Sequence, residues 1–420
     1  MITSASGHRV RTALLGMHYL LVILHSVQVG HGAENAAEST AAGGGWQPGT
    51  THRLKGLEVN LSKPVVVTRS KNFLWFPCVH RRQNGDLLAL ATNYADVFSR
   101  TSTASASWST DGGLSWTEPK QSNYGDVFVA RPDGETIWLP YFLYEREDGI
   151  GNSYQVLSAG SREPRLEARG CVISGFPKPD KRDPKNPDVS GFVFTGDAVP
   201  LKDGSYLAML YGYFKGEQRC AIVLARSSDG IKWNIISVIR ETTKRGDDGP
   251  SEASLCRLKD GRLMAVYRVG SYVAYGQSFS SDEGKTWTAP AKMNGPYSVQ
   301  PSLAVLPDGT VALSGGRPGL FVWFNRVGDG VAWEPVDLRA NHNKTVPEEY
   351  IHESSNITET TPFHHYRHET TSYTQIVALD DSHLLVIYDR GPHGGEKIEQ
   401  ITPESNSIWV ARVTVKRRPQ

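Results

Sequence analysis

The stretch Ser280-Ser281-Asp282-Glu283-Gly284-Lys285-Thr286-Trp287 reads Ser-x-Asp-x-Gly-x-Thr-Trp. Aspartate and glycine together specify a tight turn. The carboxylate accepts from the backbone that follows it, and glycine takes dihedrals that a Cβ forbids. The tryptophan then packs back under the hairpin. The pattern returns at Ser109-Thr110-Asp111-Gly112-Gly113-Leu114-Ser115-Trp116. Shortened copies stand at Ser228-Asp229-Gly230-Ile231-Lys232-Trp233 and Asp329-Gly330-Val331-Ala332-Trp333. A single Asp-Gly turn is commonplace. Four copies in one chain indicate a repeat, in which like units stack on one another around a shared core.

A second repeat is interleaved with the first: an apolar strand, a turn, and another apolar strand. The turns are Asn84-Gly85, Asp133-Gly134, Asp203-Gly204, Asp260-Gly261, Asp308-Gly309 and Asp381-Ser382. The strands that follow include Leu87 to Leu90, Ile137 to Pro140, Tyr206 to Leu210, Leu263 to Tyr267, Val311 to Leu313 and Leu384 to Tyr388. These are hairpin signals. Six of them, about 50–70 residues apart, predict an all-β fold: a six-bladed β-propeller of four-stranded antiparallel blades. The Asp-containing stretches fall in the outer hairpins. The last strand, Ile408 to Val413, is expected to pair with the segment near Val65 to Val67, which joins the chain ends and removes sheet edges.

The whole-chain properties fit a repeat architecture. At 420 residues the chain exceeds the usual size of a single core. The net charge of +1 lacks the basic excess of a nucleic-acid binder. Arg9 and Arg11 precede an apolar run from Ala13 to Val27 and small residues near Gly32-Ala33. This predicts a signal peptide over residues 1–33, and a secreted or periplasmic protein. His18 and His25 break the apolar run, which weighs against stable membrane insertion. Residues 34–50 are Ala/Gly-rich and polar and read as a disordered linker; residues 51–420 are assigned to the propeller.

Cys78, Cys171, Cys220 and Cys256 have no CxxC spacing, so zinc is not expected. Disulfides after export and buried free thiols both remain open. Asn60, Asn343 and Asn356 head glycosylation sequons. No cofactor motif or metal-ligand string is present, and a monomer is expected. Two stretches interrupt the pattern. Residues 176–190 are Pro- and charge-rich and read as a loop on a blade face. Residues 339–369 are long, polar and His-rich and are expected to rim a binding face.

Hairpin geometry locates that face. Eight strand residues span about 26 Å, the height of a blade. Counting eight back from each turn gives Phe76, Gly125, Thr195, Glu252, Gln300 and Tyr373. Counting eight or nine forward gives Asn93, Tyr141, Tyr211, Arg268, Arg317 and Asp389 or Arg390. One end of the ring therefore gathers Glu252, Arg268, Gln300, Arg317 and Tyr373. For any one of these, an ordinary strand end meeting solvent is the simpler reading. As a set they form a charged cluster on strands that otherwise read apolar.

The Ser-x-Asp-x-Gly-x-Thr-Trp copies resemble the Asp-box (BNR) repeat of the sialidase superfamily of six-bladed propellers. The resemblance extends over roughly residues 65–415. Glu252-Ala-Ser-Leu-Cys-Arg-Leu-Lys-Asp-Gly-Arg-Leu, running on to Arg268, is similar to the segment that carries the catalytic glutamate and the second arginine of a carboxylate-binding triad. Gly315-Gly316-Arg317-Pro318 resembles the site of the third arginine. Ser372-Tyr373-Thr374-Gln375-Ile376-Val377-Ala378-Leu379 resembles the segment of the tyrosine nucleophile.

The resemblance implies a retaining exo-glycosidase that removes a terminal acidic sugar, sialic acid or similar, from a glycan. Tyr373 is the nucleophile, Glu252 its base, and Arg268 and Arg317 the carboxylate clamp. The chemistry suits these residue types. Guanidinium forks grip carboxylates, a phenol needs a neighbouring base, and a neutral Tyr–Glu pair does not repel an anionic sugar. The acid/base is expected at Asp96, with Asp197 and Asp247 or Asp248 as alternatives.

The chain departs from the family in one place. Where sialidases carry Arg-Ile-Pro, this chain carries Trp75-Phe76-Pro77, so the first triad arginine falls on Trp75. Trp75 is read instead as a stacking surface for sugar, and Arg81, Arg82 and Arg100 are the candidates to replace the arginine. His364, His365 and His368 are read as a rim loop rather than a metal site. Two other functions stay open: a uronate-directed propeller hydrolase or lyase, and a non-catalytic glycan-binding propeller.

Overall fold

The computed structural model describes residues 45–71, 74–93, 103–175, 189–241, 245, 249–270, 272–297, 299–317, 319–352, 372–390 and 406–419. Almost all regular structure in them is β-strand. Three sheets are four-stranded antiparallel meanders. The first runs through Trp75–Arg81, Leu87–Thr92, Thr103–Ser109 and Lys120–Asn123. The second takes Ser251–Arg257, Leu263–Arg268, Ala274–Ser280 and Ala291–Tyr297. The third takes Val299–Val305, Val311–Gly316, Phe321–Asn325 and Glu334–Asp337. Each first strand meets its second across an Asn/Asp-Gly turn, as the sequence predicts. Gly85, Gly261 and Gly309 all take positive φ there.

The remaining strands form two larger sheets. A six-stranded sheet closes the chain on itself. Ser407–Arg417 pairs with His383–Arg390 on one side, and with both Leu57–Ser62 and Val65–Arg69 on the other. The expected pairing of the last strand with the segment at Val65 is thus present, with Val410 opposite Val65. A strand at Pro48–Leu54 lies outermost, so β-structure begins slightly before residue 51.

The nine-stranded sheet is less regular than separate meanders would be. Phe142–Arg146 pairs both with Gly149–Leu157 and with Val189–Pro200, and Arg165–Ser174 pairs in parallel with Lys232–Ile239. These two links close seven of its nine strands into a barrel-like circuit. The pairings of Phe142–Arg146 with Val189–Pro200 and of Arg165–Ser174 with Lys232–Ile239 are not hairpins between neighbours in sequence, so no turn signal announces them.

The four repeats share one local structure, each between the third and fourth strands of a meander. In the complete copies the serine hydroxyl donates to the aspartate and accepts from a glycine N–H: Ser280 Oγ to Asp282 Oδ1 at 2.8 Å and Gly284 N to Ser280 Oγ at 2.9 Å, with the same pair at Ser109, Asp111 and Gly113. The aspartate then accepts from the backbone N–H and hydroxyl of Thr286, or of Ser115. In the copy at Asp329, the amide of Asn325 takes the place of the serine, donating to Asp329 and accepting from Gly330. These bonds hold the Asp282 carboxyl down at about 2.

Small polar side chains fasten adjoining sheets along their first strands. Ala253 N donates to Thr195 Oγ1, Leu303 N to Ser254 Oγ, Ile376 N to Ser302 Oγ, and Val79 N to Gln375 Oε1. Between the sheets lie the apolar clusters, with Leu207, Leu224, Leu263 and Tyr267 in one and Leu313, Val266, Tyr275 and Trp323 in another. All four cysteines are buried free thiols. Residues 339–352 are not the plain loop that their polarity suggests. They contain a helix, Leu338–Thr345, capped by Asp337 accepting from Ala340 N. Asn341 on that helix donates to Ser62 O and accepts from Thr50 N, so contacts distant in sequence hold it.

Candidate active site

At the end of the strands away from the Asn/Asp-Gly turns, the regular ladders break. Register shifts fall between Trp75 and Cys78, Thr195 and Val199, Ser251 and Ala253, and Val299 and Ser302. A bulge of this kind re-aims a side chain out of the sheet. Here the bulges carry Phe76, Asp197, Glu252 and Gln300. Of the six non-glycine residues at positive φ among the described residues, five lie at this end: Phe76, Tyr272, Gln300, Arg317 and Ser372. Backbone held in such conformations is stored strain, which concentrates at functional sites.

Glu252 sits at the centre. It accepts from the Tyr373 hydroxyl in a short hydrogen bond. Arg268 Nη1 donates to Glu252 Oε1 at 2.9 Å, to Oε2 at 3.0 Å and to Tyr373 Oη at 3.1 Å. The backbone N–H of Gln300 donates to Oε2 at 3.0 Å. Arg317 completes the group, its guanidinium carbon 5.7 Å from the centre of the Tyr373 ring. Glu252, Tyr373 and Arg317 are each at most 9 % exposed, so these charges interact with little screening by water.

The protonation states follow. Burial alone would raise the Glu252 carboxyl. The Arg268 charge and the hydrogen bonds from Tyr373 and Gln300 outweigh it and hold Glu252 below its ordinary value. Burial, then the Glu252 charge, push the Tyr373 phenol well up, against the pull of Arg268 and Arg317. The resting pair is therefore a neutral phenol donating to a carboxylate. Tyr211, raised first by burial and then by Tyr141, Glu252 and Tyr373, borders the same group.

The structure brings together Glu252, Arg268, Gln300, Arg317 and Tyr373, the five residues that strand counting places at one end. Trp75 stands apart from them: it is 3 % exposed, and the ring that meets Tyr373 is that of Phe76, edge-on at 4.7 Å. Trp75 stacks behind Phe76 at 6.2 Å. Neither described arginine near the missing triad position compensates. Arg81 lies at the turn end of its strand opposite Leu87, and Arg82 is buried there, donating to Ser158 O and Ser161 O. Arg100, Asp96, Asp247, Asp248, His364, His365 and His368 lie outside the described residues.

Two carboxyls were not found by counting at the correct residue. Asp126, 5 % exposed, follows Gly125, and its Oδ2 lies 3.5 Å from Gln300 Nε2. Asp197, considered only as an alternative proton donor, occupies the middle of a bulge. The count of eight lands one residue short of the first and two short of the second. Among the described residues, no group of three or more His, Cys, Asp or Glu side chains is placed to hold a metal ion.

Residues 179–387 match the BNR repeat-like domain family. No curated protein matches the sequence. A Dyadobacter fermentans protein of unknown function is similar in structure, with a TM-score of 0.60 at 18 % identity over 86 % of this chain and 100 % of that one. A Hadza microbial sialidase gives 0.56 at 13 % identity over 84 % and 68 %. The Penicillium chrysogenum α-L-arabinanase complexed with arabinobiose gives 0.53 at 14 % identity over 85 % and 98 %. Residues 179–387 thus resemble a BNR repeat-like domain, and the chain has an all-β, propeller-like fold similar to that of this sialidase and this arabinanase.

Proposed function

We propose that this protein is a retaining exo-glycosidase that removes a terminal acidic sugar, sialic acid or a similar one, from a glycan. One observation carries the reading: a buried Tyr373 hydroxyl is hydrogen-bonded to the Glu252 carboxylate, with Arg268 bonded to both. A lectin has no use for a phenol paired with a base. In the first step Glu252 takes the phenolic proton as the Tyr373 oxygen bonds to the anomeric carbon and the glycosidic bond breaks. The leaving oxygen is protonated by an acid, for which Asp96 is the candidate. The same residue then removes a proton from water, which displaces Tyr373 with retention. Arg268 and Arg317 hold the substrate carboxylate.

The architecture inferred with this reading is a ring of six four-stranded blades. The nine-stranded sheet supplies the second and third, and Ser407–Arg417 closes the sixth. Trp75 supports the sugar pocket through Phe76. The protein is proposed to be secreted or periplasmic, monomeric and free of any bound cofactor.

The test is hydrolysis of a fluorogenic sialoside by the protein beside its Tyr373→Phe variant. Turnover that disappears in the variant supports the reading, and turnover that survives rejects Tyr373 as nucleophile. A second reading has its own observation. Phe76 stands against Tyr373 where the family's pattern calls for an arginine nearby, and an apolar ring suits the face of a neutral sugar. Hydrolysis of neutral aryl glycosides with no action on the sialoside selects that reading.

A further inference from the structure

Two carboxyls near the nucleophile pair, Asp126 buried and Asp197 half-buried, have no part in the mechanism above. Asp126 is 5 % exposed, and its Oδ1 has no hydrogen-bond partner among the described residues. Its Oδ2 reaches Gln300, whose backbone N–H holds Glu252. Asp197 stands in the bulge between Thr195 and Val199. That bulge depends on Gly196, at φ +67°, where a Cβ would come within 2.5 Å of Ala253 O. Both carboxyls bear on the buried Cys78 thiol, which burial raises first and their charges raise further. Asp126, Asp197 and Glu252 thus share one neighbourhood, reached from the connection between Lys120–Asn123 and Phe128–Ala130, from Val189–Pro200 and from Ser251–Arg257.

We propose that Asp126 and Asp197 hold one proton between them beside Glu252, and that this proton decides whether the pocket admits an anionic sugar. The orphaned Oδ1 of Asp126 is the natural place for it. A buried carboxylate oxygen without a donor is costly, whereas a protonated one supplies its own. Burial pushes Asp197 up to about 6. Burial, with the charges of Asp197 and Glu252, pushes Asp126 up to about 7. Asp197 therefore ionises first and its charge delays Asp126.

The charges facing the sugar then change with pH. With the proton in place, Glu252 and one aspartate stand against Arg268 and Arg317, two charges against two. Once the proton is lost, three carboxylates face the same two guanidiniums. A substrate carboxylate entering next to them is repelled, while a neutral sugar is not. Tyr211, Tyr373 and Cys78, described titratable groups in this neighbourhood, stay neutral through the change, since burial raises each of them.

The gate rests on the glycosidase reading for its substrate but not for its proton, and two measurements separate them. The first uses the full chain labelled with carbon-13 at aspartate Cγ. One carboxyl should titrate near neutrality, disappear in Asp126→Asn, and move down in Asp197→Asn. Titration of both carboxyls in the ordinary carboxylate range overturns the proposal whatever the protein hydrolyses. The second is calorimetric binding of N-acetylneuraminate at about pH 6.5 and about pH 8. Affinity should fall about tenfold at the higher pH in the natural chain and stay level in Asp126→Asn. Equal affinity at both pH values in the natural chain rejects the gate and leaves the glycosidase reading standing. Absence of binding at both rejects the gate together with the acidic-sugar reading.

Discussion

The two ends of the strands obey different rules. At the turn end, structure is local and repetitive. Asn84, Asp133, Asp203, Asp260, Asp308 and Asp380 each accept a hydrogen bond from the backbone N–H two residues on. Glycine takes the positive φ where a turn needs one, and ion pairs such as Lys120–Glu163 lie in solvent. At the other end Phe76, Gln300, Arg317 and Ser372 take that conformation without being glycine, and bulges replace ladders. Charges there are buried and paired through residues more than a hundred positions apart, as with Glu252 and Tyr373. The turn end makes the fold, and the far end is held in strained arrangements by neighbours that the fold supplies.

If that division is right, changes at the far end should damage chemistry first and changes at the turn end should damage only stability. The largest effect is expected from Tyr373→Phe, which removes one oxygen and keeps the ring against Phe76. Turnover should fall about a thousandfold or more with the melting temperature little changed. Glu252→Gln removes the base but keeps a hydrogen-bonding shape, and should cost about a hundredfold to ten-thousandfold in kcat. Glu252→Ala does something different. It leaves Arg268, whose side chain is 16 % exposed, beside a cavity without its counter-charge. A loss of about 3–5 kcal/mol in denaturant unfolding is expected, well beyond that of the Gln variant. Equal losses for the two would mean that the charge of Glu252 is not what holds this end together.

A pH-dependent test separates the two ends more finely. Asp126 has its carboxyl raised to about 7 in the folded chain, against an ordinary value near 4 when unfolded. A raised acid favours the folded state below its unfolded value, and that advantage disappears as pH rises through about 7. Asp126→Asn should therefore leave stability nearly unchanged near pH 4. Near pH 8 it should raise stability by on the order of 2 kcal/mol, since the amide has no proton to lose. Urea melts of both proteins at the two pH values measure the difference. A variant less stable at pH 8 would place an ionised Asp126 among the groups that support the fold.

The same division explains what could be read from the sequence. Turns and Asp-containing repeats were legible because each is closed by hydrogen bonds within a few residues. Counting from the turns then reached Glu252, Arg268, Gln300, Arg317 and Tyr373, because first and second strands keep level around the molecule. It reached Phe76 as well, which the shift between Trp75 and Cys78 presents to Tyr373; Trp75 was singled out by the family resemblance, not by the count. The longer shift after Thr195 hides Asp197 from any fixed count. Asp126 lay next to a glycine that the count did reach, and only its burial sets it apart. The helix at Leu338–Thr345 carries few apolar residues, and its support comes from Thr50 and Ser62. The parallel link of Val172–Ser174 to Lys232–Asn234 joins segments that no sequence pattern connects.

The smallest effect is expected at the turn end, from Asp111→Ala. Burial would raise the Asp111 carboxyl, but hydrogen bonds from Ser115, Ser109 and Leu114 outweigh it and hold it below its ordinary value. A depressed acid stabilises the fold above its unfolded value, and this contribution is lost as pH falls through the folded one. The alanine variant should thus lose about 1 kcal/mol at neutral pH, the net worth of a partly solvated hydrogen-bond set, and progressively less in acid. Trp116, whose ring N–H donates to Gly113 O, should keep the hairpin in register. Turnover per folded molecule should not change, because the hairpin sits at the opposite end of its strand from Tyr373. A loss of turnover without a loss of stability would mean that the outer hairpins position the site as well as the fold, and the two ends would then have to be treated as one mechanical unit.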